Sequence, residues 1–199
     1  MKQDEIRARL IDGTVRLIAR EGLDKTSAKQ IEKETGINVV YIYRYFKDKE
    51  DLFAKTFRCL DRELIQELIA RLPVMSLSDL SKEERCRRLF FSVWDFILQR
   101  KERCLCYMRY YYSPYFSKYS AGEHKAAFRV VVDKMSPAFK EEADVWMILN
   151  HVLNVMFDFA IKVFQGEMPK DDDYSEHVFR VVYHSIAQYF KSENEPKTV

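Results

Sequence analysis

Apolar residues return every three or four positions along most of this chain, and few residues break the rhythm. Residues 3–21 set the pattern. Ile6, Leu10, Val15, Leu17 and Ile18 recur near helical spacing, and Ala8, Ile11 and Ala19 widen the stripe. With 5 Gly and 5 Pro among 199 residues, the chain holds too little turn-forming material for a sandwich of short strands or a loop-rich fold. An all-α architecture follows, long enough for one or two domains of ordinary size. No internal repeat or low-complexity segment interrupts it.

Local signals divide the pattern into helices. Gly22 stops the first. Thr26 or Ser27 caps a second through its hydroxyl, with Gln30 three residues beyond Ser27, and this helix runs to about Thr35. Gly36 gives the backbone freedom for a tight turn, Ile37 anchors the turn, and Asn38 caps a third helix from Val39 to about Tyr45. Asp48 opens a fourth, with Glu50 and Asp51 well placed in its first turn. Pro73, Ser76, Ser78 and Ser81 mark a loop. Further helices are expected over about 82–100, 102–112, 123–135, 142–165 and 174–191, with breaks at Ser113, Pro114, Gly122 and Pro137. The tail SENEPKTV is expected to fray.

The stretch TSAKQIEKETGINVVYIYRYFKDKEDL, residues 26–52, crowds Tyr41, Tyr43, Arg44, Tyr45, Lys47 and Lys49 around one short helix. Phenols and cations so arranged suit a nucleic-acid backbone rather than acid–base chemistry. In a helix-turn-helix the second helix of the motif enters the major groove while the preceding one crosses the backbone. The inner face of the third helix falls to Val40 or Val39, to Ile42 or Tyr43, and to Phe46. Tyr41, Arg44 and Tyr45 point away. Tyrosine hydroxyls bond phosphate oxygens or base edges, and Arg44 reaches a phosphate or a guanine. Lys49 adds charge to the amides at the start of the fourth helix, an anion site suited to phosphate. Thr26, Ser27 and Lys29 are placed to hold the other strand. A plain bundle helix with Lys47 and Lys49 as a solvated face competes with this reading. The agreement of Gly turn, caps, aromatics and lysines over one continuous stretch outweighs it. Charge permits DNA binding without demanding it: residues 1–60 hold 13 Lys and Arg against 10 Asp and Glu, and the remainder hold 20 against 21.

The order Thr-Ser, Ile, Gly-Ile and then Tyr-x-Tyr-Phe-Lys-x-Lys-Glu-x-Leu resembles the DNA-binding domain of the TetR-type (tetracycline-repressor-like) regulators. The match covers about residues 6–57 and is strongest over 36–52. The resemblance implies an N-terminal three-helix helix-turn-helix DNA-binding domain, residues 1–47, and a C-terminal helical ligand-binding and dimerisation domain, residues 48–199. It implies base reading by Asn38, Val39, Tyr41 and Arg44, and phosphate contacts by Tyr43, Tyr45, Lys47 and Lys49. It implies a homodimer through the last two helices, a palindromic double-stranded DNA operator and a small-molecule effector. Two departures stand out. Val40 and Tyr41 occupy positions where small residues are common, and Glu32 and Thr35 replace alanines, which bears on how closely the second helix packs.

The remaining two-thirds match that family only in length and helical character. The stretch VWMILNHVLNVMFDFAIKVF, residues 145–164, is apolar around most of its circumference and needs burial on more than one side. VFRVVYHSIAQYF, residues 178–190, has a similarly broad face. Two such helices per chain build an intermolecular four-helix bundle, unless one helix is simply the centre of a monomeric core. Trp94, Tyr107, Met108, Tyr111, Phe128, Trp146 and His151 are candidates to line a pocket for an apolar or aromatic effector, although an aromatic stripe is more often plain core.

Cys59, Cys86, Cys104 and Cys106 read as reduced thiols, and a lone Cys-x-Cys is a weak zinc signal. No Gly-rich phosphate loop, GxSxG or HExxH pattern is present, so neither a cofactor, a metal nor an enzyme is expected. A helical interaction protein without DNA contact, or a helical enzyme, is the alternative, and DNA association at low salt separates them. No apolar run approaches the roughly 18 residues of a membrane span and no secretory signal opens the chain, so a cytoplasmic protein without membrane contact is expected.

Overall fold

The computed structural model describes residues 3–192, so all of the tail expected to fray except Ser192 lies outside the described residues. Ten helices are found there: α1 (Gln3–Glu21), α2 (Ala28–Thr35), α3 (Val40–Tyr45), α4 (Lys49–Arg71), α5 (Lys82–Leu98), α6 (Lys101–Tyr111), α7 (Pro114–Tyr119), α8 (Ala121–Met135), α9 (Val145–Gln165) and α10 (Asp172–Ile186). The expected break at Ser113 and Pro114 separates α6 from α7, and Pro114 opens α7. Proline is tolerated in a first helical turn, where its missing N–H would have no partner. Gly122 falls inside the first turn of α8 and breaks nothing.

The helices form two compact units. One gathers the residues up to Leu64 with Arg100–Ala127; the other gathers Ile65–Gln99 with the residues from Phe128 onward. This contact-based division differs from the functional boundary expected at residue 47, because α6 packs chiefly on α1. Arg103 of α6 reaches Asp12 at 2.9 Å and Glu63 at 2.8 Å, and Arg109 donates to the Ile18 carbonyl at 2.8 Å. Long side chains spaced six residues apart were needed for these ties, and their partners lie far away in sequence.

Within the first unit, Leu10, Ile18, Ile31, Ile42, Leu52 and Phe53 are fully buried. Gly13 sits where α1 approaches α2. A Cβ built there would stand 2.2 Å from Thr35 Cγ2. The bulk of Thr35 on α2 is therefore accommodated by the missing side chain on α1. The Thr35 hydroxyl donates to the Ile31 carbonyl and accepts from the Ile37 amide. Glu34 accepts from Arg16 at 2.6 Å and from Arg20 at 3.1 Å, and the Arg16 guanidinium, acting first against desolvation, holds its carboxyl below the usual range.

The second unit is built on α5, α9 and α10. Trp94 donates its indole N–H to Ser175 Oγ at 3.0 Å, Phe90 packs on Phe179, and Phe139 stacks on Phe190 with centroids 4.5 Å apart. Val145, Ile148, Leu149, Leu153, Met156, Phe157 and Ala160 form the inner face of α9. This helix corrects one expectation. By length and composition Val145–Gln165 is apolar enough to cross a membrane, although only 33% of its most apolar window is buried within the chain.

Candidate functional site

The helix-turn-helix is assembled by short-range bonds that the sequence specifies. Ser27 caps α2 in a reciprocal box: its Oγ accepts from the Gln30 amide, and Gln30 Oε1 accepts from the Ser27 amide at 2.8 Å. Gly36 ends α2 in the left-handed region at φ 68°, which a side chain would strain. Asn38 Oδ1 then accepts from the Val40 amide at 2.9 Å and starts α3. Ile37, Ile42 and Phe46 are buried, and they fix which way the six residues of α3 face.

That facing decides between the alternatives the sequence left open, for Ile42 over Tyr43 and for Val39 over Val40. Val40 is 65% exposed and Tyr43 59% exposed, so both look outward and neither belongs to the core face. Tyr41 and Tyr45 are half-buried and stack on each other at 6.2 Å, rather than projecting freely. Arg7 of α1 and Arg44 lie over the Tyr45 ring at 5.6 and 5.9 Å. The outward row is Asn38, Val40, Tyr43, Arg44 and Lys47, with Val39 partly covered. A helix shorter than two turns presents too few repeats for periodicity to tell Val39 from Val40 or Ile42 from Tyr43. Arg7 was missed because its partner is 38 positions away.

Other candidates serve structure first. Thr26 is fully buried and its hydroxyl donates to the Gly22 carbonyl at 2.7 Å, which corrects its expected role in holding a strand. Ser27 and Lys29 are exposed beside it. At the start of α4, Asp48 Oδ1 accepts from the Asp51 amide at 2.8 Å, and Asp51 Oδ2 accepts from the Lys47 amide at 2.9 Å. These carboxylates already satisfy amides where a phosphate was expected. Lys49 is half-buried with its ammonium 5.4 Å from the Phe53 ring centroid.

The family model described as "Bacterial regulatory proteins, tetR family" matches residues 10–56. That stretch is similar to the TetR-type DNA-binding domain. The HTH-type transcriptional regulator AcrR of Shigella flexneri is 31% identical over 128 residues, 53% of this chain and 60% of that protein. The HTH-type transcriptional regulator BetI of Cronobacter sakazakii is 35% identical over 79 residues, 40% of this chain and 38% of that protein. The match thus spans 60% or less of either relative's length. A TetR family transcription regulator from Marinobacter aquaeolei VT8 shares the fold with a TM-score of 0.75 at 18% identity, over 93% of this chain and 98% of that one. The multidrug binding protein EbrR, solved with ethidium, aligns with a TM-score of 0.58 at 15% identity, over 89% of this chain and 98% of that one. At these identities the solved structures speak to the fold alone.

The second unit holds a cavity of about 100 Å³ between α5, α9, α10 and the ends of α4 and α8. Its wall includes Leu68, Met75, Phe90, Val152, Met156 and Tyr183, and none of the seven residues expected from the sequence. The expected lining residues have other partners, since aromatic side chains consume each other's surface. Trp94 is buried against Phe90 and Ser175. Phe128 meets Trp146 edge to face at 6.2 Å. Tyr107, Met108 and Tyr111 lie in the first unit, where Tyr107 donates to Asp61 at 3.0 Å and stacks on Tyr111. His151 is exposed and bonds Ser185 Oγ at 2.9 Å.

Cys104 and Cys106 are both buried, and burial pushes each thiol up to about 12. A thiol that holds its proton is a poor nucleophile, so their environment does not favour redox sensing. Among the described residues no three His, Cys, Asp or Glu side chains group to hold a metal ion.

Proposed function

We propose that the chain is a ligand-responsive transcription repressor that binds a palindromic DNA operator as a homodimer. One observation carries the reading: the outward row Asn38, Val40, Tyr43, Arg44 and Lys47 stands on a helix whose inner residues Ile42 and Phe46 are sealed. Arg44 reads a base edge or a phosphate, Tyr43 and Lys47 take phosphates, and Asn38 and Val39 lie at the groove floor. Tyr41 and Tyr45 act as a stacked pair that sets the pose of Arg44, while Ser27, Lys29 and Lys49 serve the flanking backbone.

The dimer is proposed through α9 and α10. Met147 is 53% and Val181 55% exposed, apolar groups left in water by a single chain. They lie on the two helices whose broad apolar faces call for cover on a second side. A symmetric pair places two readers on half-sites roughly 34–36 Å apart, or a multiple of that. An effector that prefers one conformation then changes the spacing of the readers. Membrane contact is no part of this reading, and the protein works in the cytoplasm.

The test is selection of bound sequences from random duplex DNA, followed by titration of Tyr43→Ala with Lys47→Ala on the selected site. We expect a palindrome, and a loss of affinity of at least about tenfold with the dimer intact. Unchanged affinity defeats the proposal.

A further inference from the structure

We propose that the cavity of the second unit takes an unbranched alkyl chain with an anionic head, the tail inside and the head at Lys134. The inference deepens the effector reading above and rests on it only for the consequence at DNA.

Shape selects the tail. The void measures about 100 Å³, below the roughly 150 Å³ of an apolar void that accepts benzene, so a guest must open it further. A slim chain needs less opening than a fused ring system. The wall can adapt along one dimension, because Met75, Met135 and Met156 all line it, and unbranched thioethers repack around a longer guest at little cost. Aliphatic and aromatic carbon makes up nearly all of the rest of the wall, so burying methylenes there is favourable in proportion to the area removed from water.

Charge selects the head. Among the described residues no Asp or Glu lines the cavity, and Lys134, which is exposed, is the one charged residue of its wall. Cys86 also lines it, and burial pushes that thiol up to about 11, so it adds no anion at neutral pH. An ammonium head would lose hydration and meet a like charge with nothing opposite to offset it. A carboxylate at the rim keeps part of its water and gains the lysine.

The experiment is calorimetric titration and thermal unfolding of the full chain with octanoate, octanol and octyltrimethylammonium. Octanoate is expected to bind most tightly and to raise Tm, and the ammonium to bind at least about tenfold more weakly. Lys134→Glu, a surface change, should bring octanoate down to octanol or below it. Ala138→Leu, which fills the void, should weaken both in protein shown by circular dichroism to be folded. The proposal is overturned if the ammonium binds as well as octanoate, if millimolar octanoate leaves Tm unmoved, or if folded Ala138→Leu binds as before. Binding of octanoate with no change in operator affinity supports the cavity and counts against the effector reading, so the two failures are told apart.

Discussion

His124 Nδ1 lies 2.9 Å from Asp61 Oδ2, with both side chains buried in the first unit. Tyr107 donates its hydroxyl to the other oxygen, Oδ1, at 3.0 Å, and Phe57, Tyr111 and Phe116 pack around the imidazole. Desolvation, then the neighbouring carboxylate, push the Tyr107 phenol well above its ordinary value, so it remains a donor. Three helices, α4, α6 and α8, meet in this one bond set. Removing His124 leaves a carboxylate buried with a single neutral partner. His124→Leu is expected to cost about 3–5 kcal/mol in urea unfolding, and the pair Asp61→Leu with His124→Leu much less, because replacing both partners removes the buried charge. A double variant no more stable than the single one would contradict this.

Gly13 and Thr35 are expected to be coupled. Gly13→Ala gains about 1 kcal/mol of helix propensity, but the new methyl meets Thr35 Cγ2. Overpacking of this kind costs about 1–3 kcal/mol, so a net loss of stability is expected. With Thr35→Ser in the background the clash is gone, and Gly13→Ala should become neutral or stabilising. A double-mutant cycle on chemical denaturation measures the coupling.

Lys47 is exposed and follows α3 by two residues. If its ammonium neutralises one phosphate per protomer, Lys47→Ala lowers the slope of log affinity against log salt by about 1.8 for a dimer. The loss should be uniform across operator variants. Arg44→Ala, by contrast, should relax preference at one base position per half-site. Fluorescence anisotropy across a salt series distinguishes the two.

Thiol burial gives a pH dependence of definite sign. Cys104 and Cys106 titrate near 12 when folded, against an ordinary value of about 8.5 in the unfolded chain. The folded state therefore holds protons that the unfolded state gives up. Their contribution is intact below about pH 8.5 and declines as pH rises toward 12. Urea midpoints measured from pH 8 to pH 10.5 should fall, and more shallowly in Cys104→Ala with Cys106→Ala. A disulfide reagent at pH 8 should modify Cys59, which is partly exposed, ahead of either.

Val181→Asp with Met147→Asp should convert the proposed dimer to monomer in sedimentation velocity while leaving helical content unchanged, because both side chains are exposed in the single chain. Persistence of the dimer would place its interface elsewhere.

The caps and turns were legible because they are local. Ser27 with Gln30, Gly36 and Asn38 each bond within three or four positions, and those bonds form as the residues require. The facing of α3 was not legible, since six residues do not repeat often enough to reveal an inner face. The cavity escaped for the opposite reason. Aromatic content marks where surface is most readily consumed, whereas a void remains where flexible aliphatic side chains from several helices fail to fill the space between them.

The sequence by itself determined the helices, their caps and the identity of the reader, because backbone propensity, capping and side-chain periodicity act over a few residues. Only the tertiary structure decided that Val40 and Tyr43 face outward, that α6 packs with α1, that Gly13 makes room for Thr35, and that the void lies among methionines and leucines. Those outcomes depend on pairs distant in the chain, and the closeness of two surfaces is settled only when the whole core packs at once.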